Sequence, residues 1–168
     1  MNFIYFEKVA DVTYPIGGEF YDNFDYIRKA AKTLHNIIDK GKDIALVCRG
    51  TSGCIIAGAV GYILQKRGRK VTIVISRKSE NTAGYHRILK GVVPVVIDDF
   101  VSSGNTIGEI LKDLDDFIKW DTYPFLCTAN FLDESVLIGR KENGRIMFYE
   151  VINRFDTMIC NKPKYDVH

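Results

Sequence analysis

Three short apolar runs constrain this chain more than any other feature: Asp43 to Cys48 (DIALVC), Lys70 to Ser76 (KVTIVIS) and Val92 to Asp98 (VVPVVID). Each reads as a strand, and helical periodicity lies between and around them. Phe24 to Lys40 carries Phe24, Ile27, Ala31, Leu34 and Ile38 at helical spacing, with Gly41 where a C-terminal stop belongs. The segment CIIAGAVGYILQKRG reads as a buried helix that stops near Gly68. From about Thr106 to Lys119, Ile107, Ile110, Leu111, Leu114 and Phe117 form the inward face of another helix. YPFLCTANF and RIMFYEVI complete a set of five strands. Strands alternating with helices in this way predict an α/β fold, an open and mostly parallel sheet with helices on both faces. No internal repeat or low-complexity tract interrupts the pattern.

A chain of 168 residues suits one domain with its own core. Apolar residues at 46% and charged residues at 26% are ordinary for a soluble globular protein. The net charge of +2 comes from Lys and Arg scattered among Asp and Glu, so no basic stripe asks for a nucleic acid. Cys48, Cys54, Cys127 and Cys160 lack the close pairing of zinc or thioredoxin-like motifs and read as buried free thiols. Without a leader pattern or an apolar run of membrane-spanning length, a reducing cytoplasm is the expected compartment, and no membrane partner is expected.

In open α/β sheets ligands gather beyond the carboxyl ends of the strands, which directs attention to the loops after Cys48, Ser76 and Ile97. The last of these runs from Asp98 and Asp99 through Ser102, Ser103, Gly104, Asn105 and Thr106 into a helix. Helix-start amides attract an anion, Gly104 lets the backbone approach it, and the hydroxyls donate further hydrogen bonds. Two carboxylates beside a bare phosphate make sense when the ligand also carries hydroxyls or a divalent cation. A sugar phosphate with magnesium meets both demands. The plainer reading is that the acids end a strand and Ser103 or Asn105 caps a helix. Walker A, dinucleotide-binding and Asp-x-Asp nucleophile patterns are all absent from this stretch.

The sequence VVIDDFVSSGNT resembles the phosphoribosyl-pyrophosphate (PRPP) signature of type I phosphoribosyltransferases, with Pro94 and Phe100 as departures that touch packing more than chemistry. LVCRGTSG resembles the family's pyrophosphate loop, with Arg49, Gly50, Thr51 and Ser52 in the matching places. The resemblance implies a strained cis peptide near Arg49, or its relief on ligand binding. Arg77 and Lys78 resemble the charged pair of the orotate and adenine branches, and Ser79 to Lys90 stands where the family has a mobile loop over the site. His86 is the candidate proton donor of that loop, although a loop histidine is more often merely exposed. His35 and His168 have no assigned role.

The resemblance covers about Asp43 to Asn130 and implies a single domain over 1–168. Its core spans about 23–130, and a small hood comes from about 1–22 and 131–168. The hood selects the base, and these flanks are rich in aromatics able to stack on one. Asp133 and Glu134 are candidates for reading a base edge. The implied reaction joins a nucleobase, purine or orotate, to the ribose 5-phosphate of PRPP with release of pyrophosphate. Asp98, Asp99, Arg77 and Lys78 are the catalytic set. Ser102, Ser103, Gly104, Asn105 and Thr106 hold the 5′-phosphate, and Arg49, Gly50 and Thr51 the pyrophosphate. Magnesium is held by Asp98 and Asp99, directly or through water and ribose hydroxyls. The resemblance further implies a homodimer without nucleic-acid partners. The alternative is a regulatory protein on the same fold that binds PRPP or a nucleotide without turning it over.

Overall fold

The computed structural model describes residues 24–77, 91–98, 105–114, 125–130, 135–142, 145–150 and 165–167. Helix α1 (Phe24–Ile37) leads into strand β1 (Asp43–Cys48), helix α2 (Gly50–Lys66) and strand β2 (Val71–Ile75). Strand β3 (Val92–Asp98), helix α3 (Asn105–Leu114) and strand β4 (Phe125–Asn130) follow, and then β5 (Ser135–Glu142), β6 (Arg145–Glu150) and β7 (Tyr165–Val167). All seven strands form one sheet in the order β2-β1-β3-β4-β5-β6-β7. The first four in that order are mutually parallel. The remaining three add antiparallel.

Among the described residues the sheet has seven strands where five were expected, and it is mixed, with its parallel strands on one side. The two additions, β5 and β7, escaped the apolar pattern for local reasons. β5 ends in Arg140, Lys141 and Glu142, and β7 is only three residues long. A sequence signal for β5 was nevertheless present. Its register pairs Glu142 with Arg145, so only Asn143 and Gly144 lie between β5 and β6, and Asn-Gly is the strongest short hairpin signal. The stretch expected to supply the hood therefore contributes three strands to the sheet. Residues 1–22 lie outside the described residues.

The central strands are apolar throughout because both of their faces are covered, as parallel sheets require. On one face Ile44, Leu46, Cys48, Val71, Val93, Val95 and Ile97 join Ile27, Leu34, Ile56, Val60 and Leu64 of α1 and α2 in one buried cluster. Ala45, Val47, Val74 and Val96 alternate to the other face and are equally buried. The chain leaves β1 toward β2 and leaves β3 in the opposite direction toward β4. Right-handed crossovers then place α3 on the face opposite α2, and Ile110 of α3 is fully buried outside the α1/α2 cluster.

Pro94 sits inside a central strand, where a missing N–H normally breaks the ladder. The β3–β4 register begins at Val95, one residue later, so the proline removes no donor from that ladder.

Arg69, 5% exposed, secures the turn that feeds β1. Its guanidinium donates to the carbonyls of Ile38 at 3.0 Å, Asp39 at 2.8 Å and Lys42 at 3.3 Å. Carbonyls left over at the end of α1 are thereby satisfied. Burial lowers the Arg69 pKa from its ordinary value, and Asp39 opposes that shift.

Leu46 is fully buried in the middle of β1, directly under α2, where Gly61 allows close approach. Leu46→Ala is expected to lower unfolding free energy by about 2–5 kcal/mol, the range for a buried leucine that leaves a cavity. Urea denaturation measures it, and a loss below about 1 kcal/mol would mean that this layer repacks freely.

Candidate functional site

The strand order creates a switch point between β1 and β3, where connections leave in opposite directions and a crevice opens at the carboxyl ends. The end of β3 and the start of α2, which follows β1, come together there. Gly53, in the first turn of α2, is buried against the end of β3. A Cβ placed on it would lie 3.0 Å from Asp98 Oδ1 and 3.8 Å from the Ile97 carbonyl. Glycine is what lets the helix start come this close to the carboxylate. Asp98 itself is 6% exposed. Asp98 and the turn that holds Arg49, Gly50 and Thr51, both candidates from the sequence, are thus linked through Gly53.

Gly50 has a φ of 75°, in the left-handed region that favours glycine, and it turns the chain from β1 directly into α2. No described peptide bond is cis. The strained cis bond expected near Arg49 is not part of this conformation, whose turn has Gly50 at a positive φ. Thr51 is exposed and Ser52 half-buried in the first turn of α2.

Arg49 has protein partners that the sequence did not name. Its side chain is only 11% exposed and is committed to protein partners. Nη1 donates to Ser76 Oγ at 3.1 Å and to Asp113 Oδ2 at 2.9 Å, and Nη2 lies 3.0 Å from Glu109 Oε2. Ser76 Oγ in turn donates to Asp113 Oδ2 at 2.6 Å. The Ser76 amide donates to the Cys48 carbonyl at 2.8 Å, which keeps the ends of β1 and β2 level. One guanidinium thus ties β1, β2 and α3 together, with its charge met by two carboxylates.

Ser76, Glu109 and Asp113 were not singled out from the sequence. The available signal was the spacing of Glu109 and Asp113, four apart on α3 and opposite the apolar face. Nothing in that spacing names Arg49, sixty or more residues away, as their partner.

Arg77 is exposed just beyond β2, and Thr106 is exposed in the first turn of α3. Asn105 begins α3. Lys78, His86, Asp99, Ser102, Ser103 and Gly104 lie outside the described residues, as do Asp133 and Glu134. No group of three or more His, Cys, Asp or Glu side chains among the described residues could enclose a metal. A single buried carboxylate at Asp98 does suit magnesium, which commonly takes one or two carboxylates and fills its octahedron with waters and phosphate oxygens.

Two cysteines read as unrelated are neighbours here. Cys48 Sγ, at the end of β1, lies 3.4 Å from Cys54 Sγ in the first turn of α2. Burial, then Cys54, then the Asp98 charge all push the Cys48 thiol up from its ordinary value. It therefore stays protonated in the folded protein at neutral pH.

No family model matches the chain, and no curated protein matches it. Among solved structures it is similar to a hypoxanthine-guanine-xanthine phosphoribosyltransferase, with a TM-score of 0.46 and 18% identity over 62% of this chain and 58% of that one. It is also similar to the HGPRT-ase from Leishmania tarentolae in complex with GMP, with a TM-score of 0.45 and 15% identity over 64% of each chain. The chain therefore spans less than two thirds of the length of either structure. Among the described residues, no helix is long and apolar enough to cross a membrane.

Two outcomes follow from this geometry. Asp113→Ala removes the acceptor shared by Arg49 and Ser76 and is expected to cost about 2 kcal/mol, the scale of a charge-assisted hydrogen bond. Glu109, 52% exposed, is screened by solvent, so Glu109→Ala should cost less than about 1 kcal/mol. Equal losses for the two in urea unfolding would contradict the arrangement.

Cys48 gives the second. Its folded pKa is raised, so the unfolded chain loses this proton first, at about pH 8.5, and stability falls as pH rises above that. The fall attributable to this thiol is about 1.4 kcal/mol per pH unit, and Cys48→Ala should flatten the curve between pH 8.5 and about pH 10 by that amount. Identical curves would show that Cys48 ionises freely in the fold.

Proposed function

We propose that the protein is a phosphoribosyltransferase that joins the ribose 5-phosphate of PRPP to a nucleobase of the purine or orotate class. The observation that supports this reading is the juxtaposition at the switch point. Asp98, at the end of the strand that opens the PRPP-like signature, packs against Gly53 of the pyrophosphate-like loop. Asp98 and Gly53 belong to the two stretches that resemble one family's motifs, although they stand forty-five residues apart in sequence.

In this reading a ring nitrogen of the base attacks the anomeric carbon, the bond to pyrophosphate breaks with its electron pair, and the base gives up a proton. Positive charge builds on the ribose as pyrophosphate leaves. Asp98 and Asp99 accept hydrogen bonds from ribose hydroxyls or metal-bound waters and stabilise that charge. Magnesium held at these acids would supply neutralisation of the departing pyrophosphate.

The amides of Gly50 and Thr51 at the start of α2 receive a pyrophosphate oxygen. Arg49, engaged by Ser76, Glu109 and Asp113, holds that loop in register. Arg77 and Lys78 add positive charge from the end of β2. Ser102, Ser103, Gly104, Asn105 and Thr106 anchor the 5′-phosphate. Binding energy at that remote group positions the reacting carbon, so weakening the cradle lowers turnover as well as affinity.

The test is incubation with PRPP and magnesium and each of hypoxanthine, guanine, xanthine, adenine, orotate, uracil and nicotinate, with chromatography for nucleotide. Nucleotide from one base, with a loss of more than about tenfold in well-folded Asp99→Asn, is the expected result. Asp99→Asn activity within about twofold of wild type would remove Asp99 from the site. PRPP binding without product from any base would replace the enzyme with a PRPP sensor.

A further inference from the structure

Cys48 and Cys54 flank the turn from β1 into α2, with their sulfurs 3.4 Å apart. Cys48 is fully buried and its other polar neighbour is the Val74 carbonyl at 3.6 Å, while Cys54 is only partly covered. A disulfide needs an S–S separation of about 2.05 Å, so the two sulfurs must close by about 1.4 Å. The five residues between them include Gly50 at a φ of 75° and Gly53, so the intervening backbone is well suited to a small adjustment.

We propose that Cys48 and Cys54 form an oxidative modification site, at which a peroxide converts the two thiols into a reversible intramolecular disulfide across the β1–α2 turn. Cys54 is the sulfur that meets the oxidant. Its sulfur attacks one peroxide oxygen, the O–O bond breaks, the departing hydroxide takes up the Cys54 proton and leaves as water, and Cys54 becomes a sulfenic acid. Cys48 then attacks the Cys54 sulfur, the S–O bond breaks, and the departing hydroxide leaves as water with the Cys48 proton. In balance, two thiols and one hydrogen peroxide give one disulfide and two waters, with two electrons passing from sulfur to oxygen. Cys48 is fully buried and so shielded from peroxide, while Cys54 is only partly covered, which gives Cys54 the first attack and leaves Cys48 to resolve it from within the turn. The product is a small covalent ring that contains Arg49 to Gly53 and fixes the start of α2 to the end of β1.

The experiment exposes the full chain to hydrogen peroxide, quenches with acid, alkylates under denaturing conditions and maps peptides by mass spectrometry. The expected result is a Cys48 to Cys54 cross-linked peptide lighter by two hydrogens, unalkylated at both positions and restored by dithiothreitol. Cys54→Ser should leave Cys48 as an alkylatable thiol under the same exposure, and Cys48→Ser should carry Cys54 on to sulfinic acid. Should either variant fail to fold, the wild-type peptide map decides alone. Both thiols alkylated after peroxide, sulfinic acid at Cys54 in the wild type, or a cross-link from either cysteine to Cys127, Cys160 or a second chain would each overturn the proposal. None of these readouts depends on the proposed transferase activity.

Discussion

Arg49 is a long cation brought in from water at the end of the central strand, and its side chain is almost entirely covered. A guanidinium in that position must be paired, because leaving its charge buried and unmet costs several kcal/mol. Ser76 and Asp113 meet one nitrogen and Glu109 the other, so the requirement is satisfied only when β2 and α3 are both in place. The pairing therefore couples the two sides of the switch point. α2 follows the glycine turn, and the arginine ties its start to the middle and far end of α3 across the end of the sheet.

That coupling changes what the arginine can do. As an isolated loop residue it would be an anion ligand. Locked between two carboxylates, it presents little net charge to the crevice and acts through geometry, leaving anion binding in the proposed site to the amides of α2 and to the charges beyond β2. Gly50 and Gly53 complete the arrangement from the backbone. The first makes the turn by its positive φ, and the second yields the space that Asp98 occupies. A side chain at Gly53 would force apart the two stretches whose approach supports the functional reading.

The same crowding gives the cysteines their proximity. Cys48 ends the strand and Cys54 lies in the first turn of the helix, so a sharp strand-to-helix turn brings residues six apart into near contact. In an extended chain that interval exceeds 15 Å, at about 3.3 Å per residue. Buried apolar surroundings keep Cys48 protonated, and the partly covered Cys54 is its route to solvent.

The amino-acid order alone was enough for α1, β1, α2, β2 and β3, because unbroken apolar runs and helical spacing report local burial directly. It also directed attention to the strand ends that carry Asp98 and Arg49, because a parallel α/β sheet collects its loops at one end. It was poor at the antiparallel extension, where the polar end of β5 and the brevity of β7 weaken any periodic signal, and the Asn143-Gly144 dipeptide in the sequence went unread. The partners of Arg49 and the contact between Cys48 and Cys54 were settled by tertiary structure. Those pairings depend on where a crossover helix lands and how sharply one turn closes, and sequence periodicity encodes which face a residue takes but not which distant side chain it meets there.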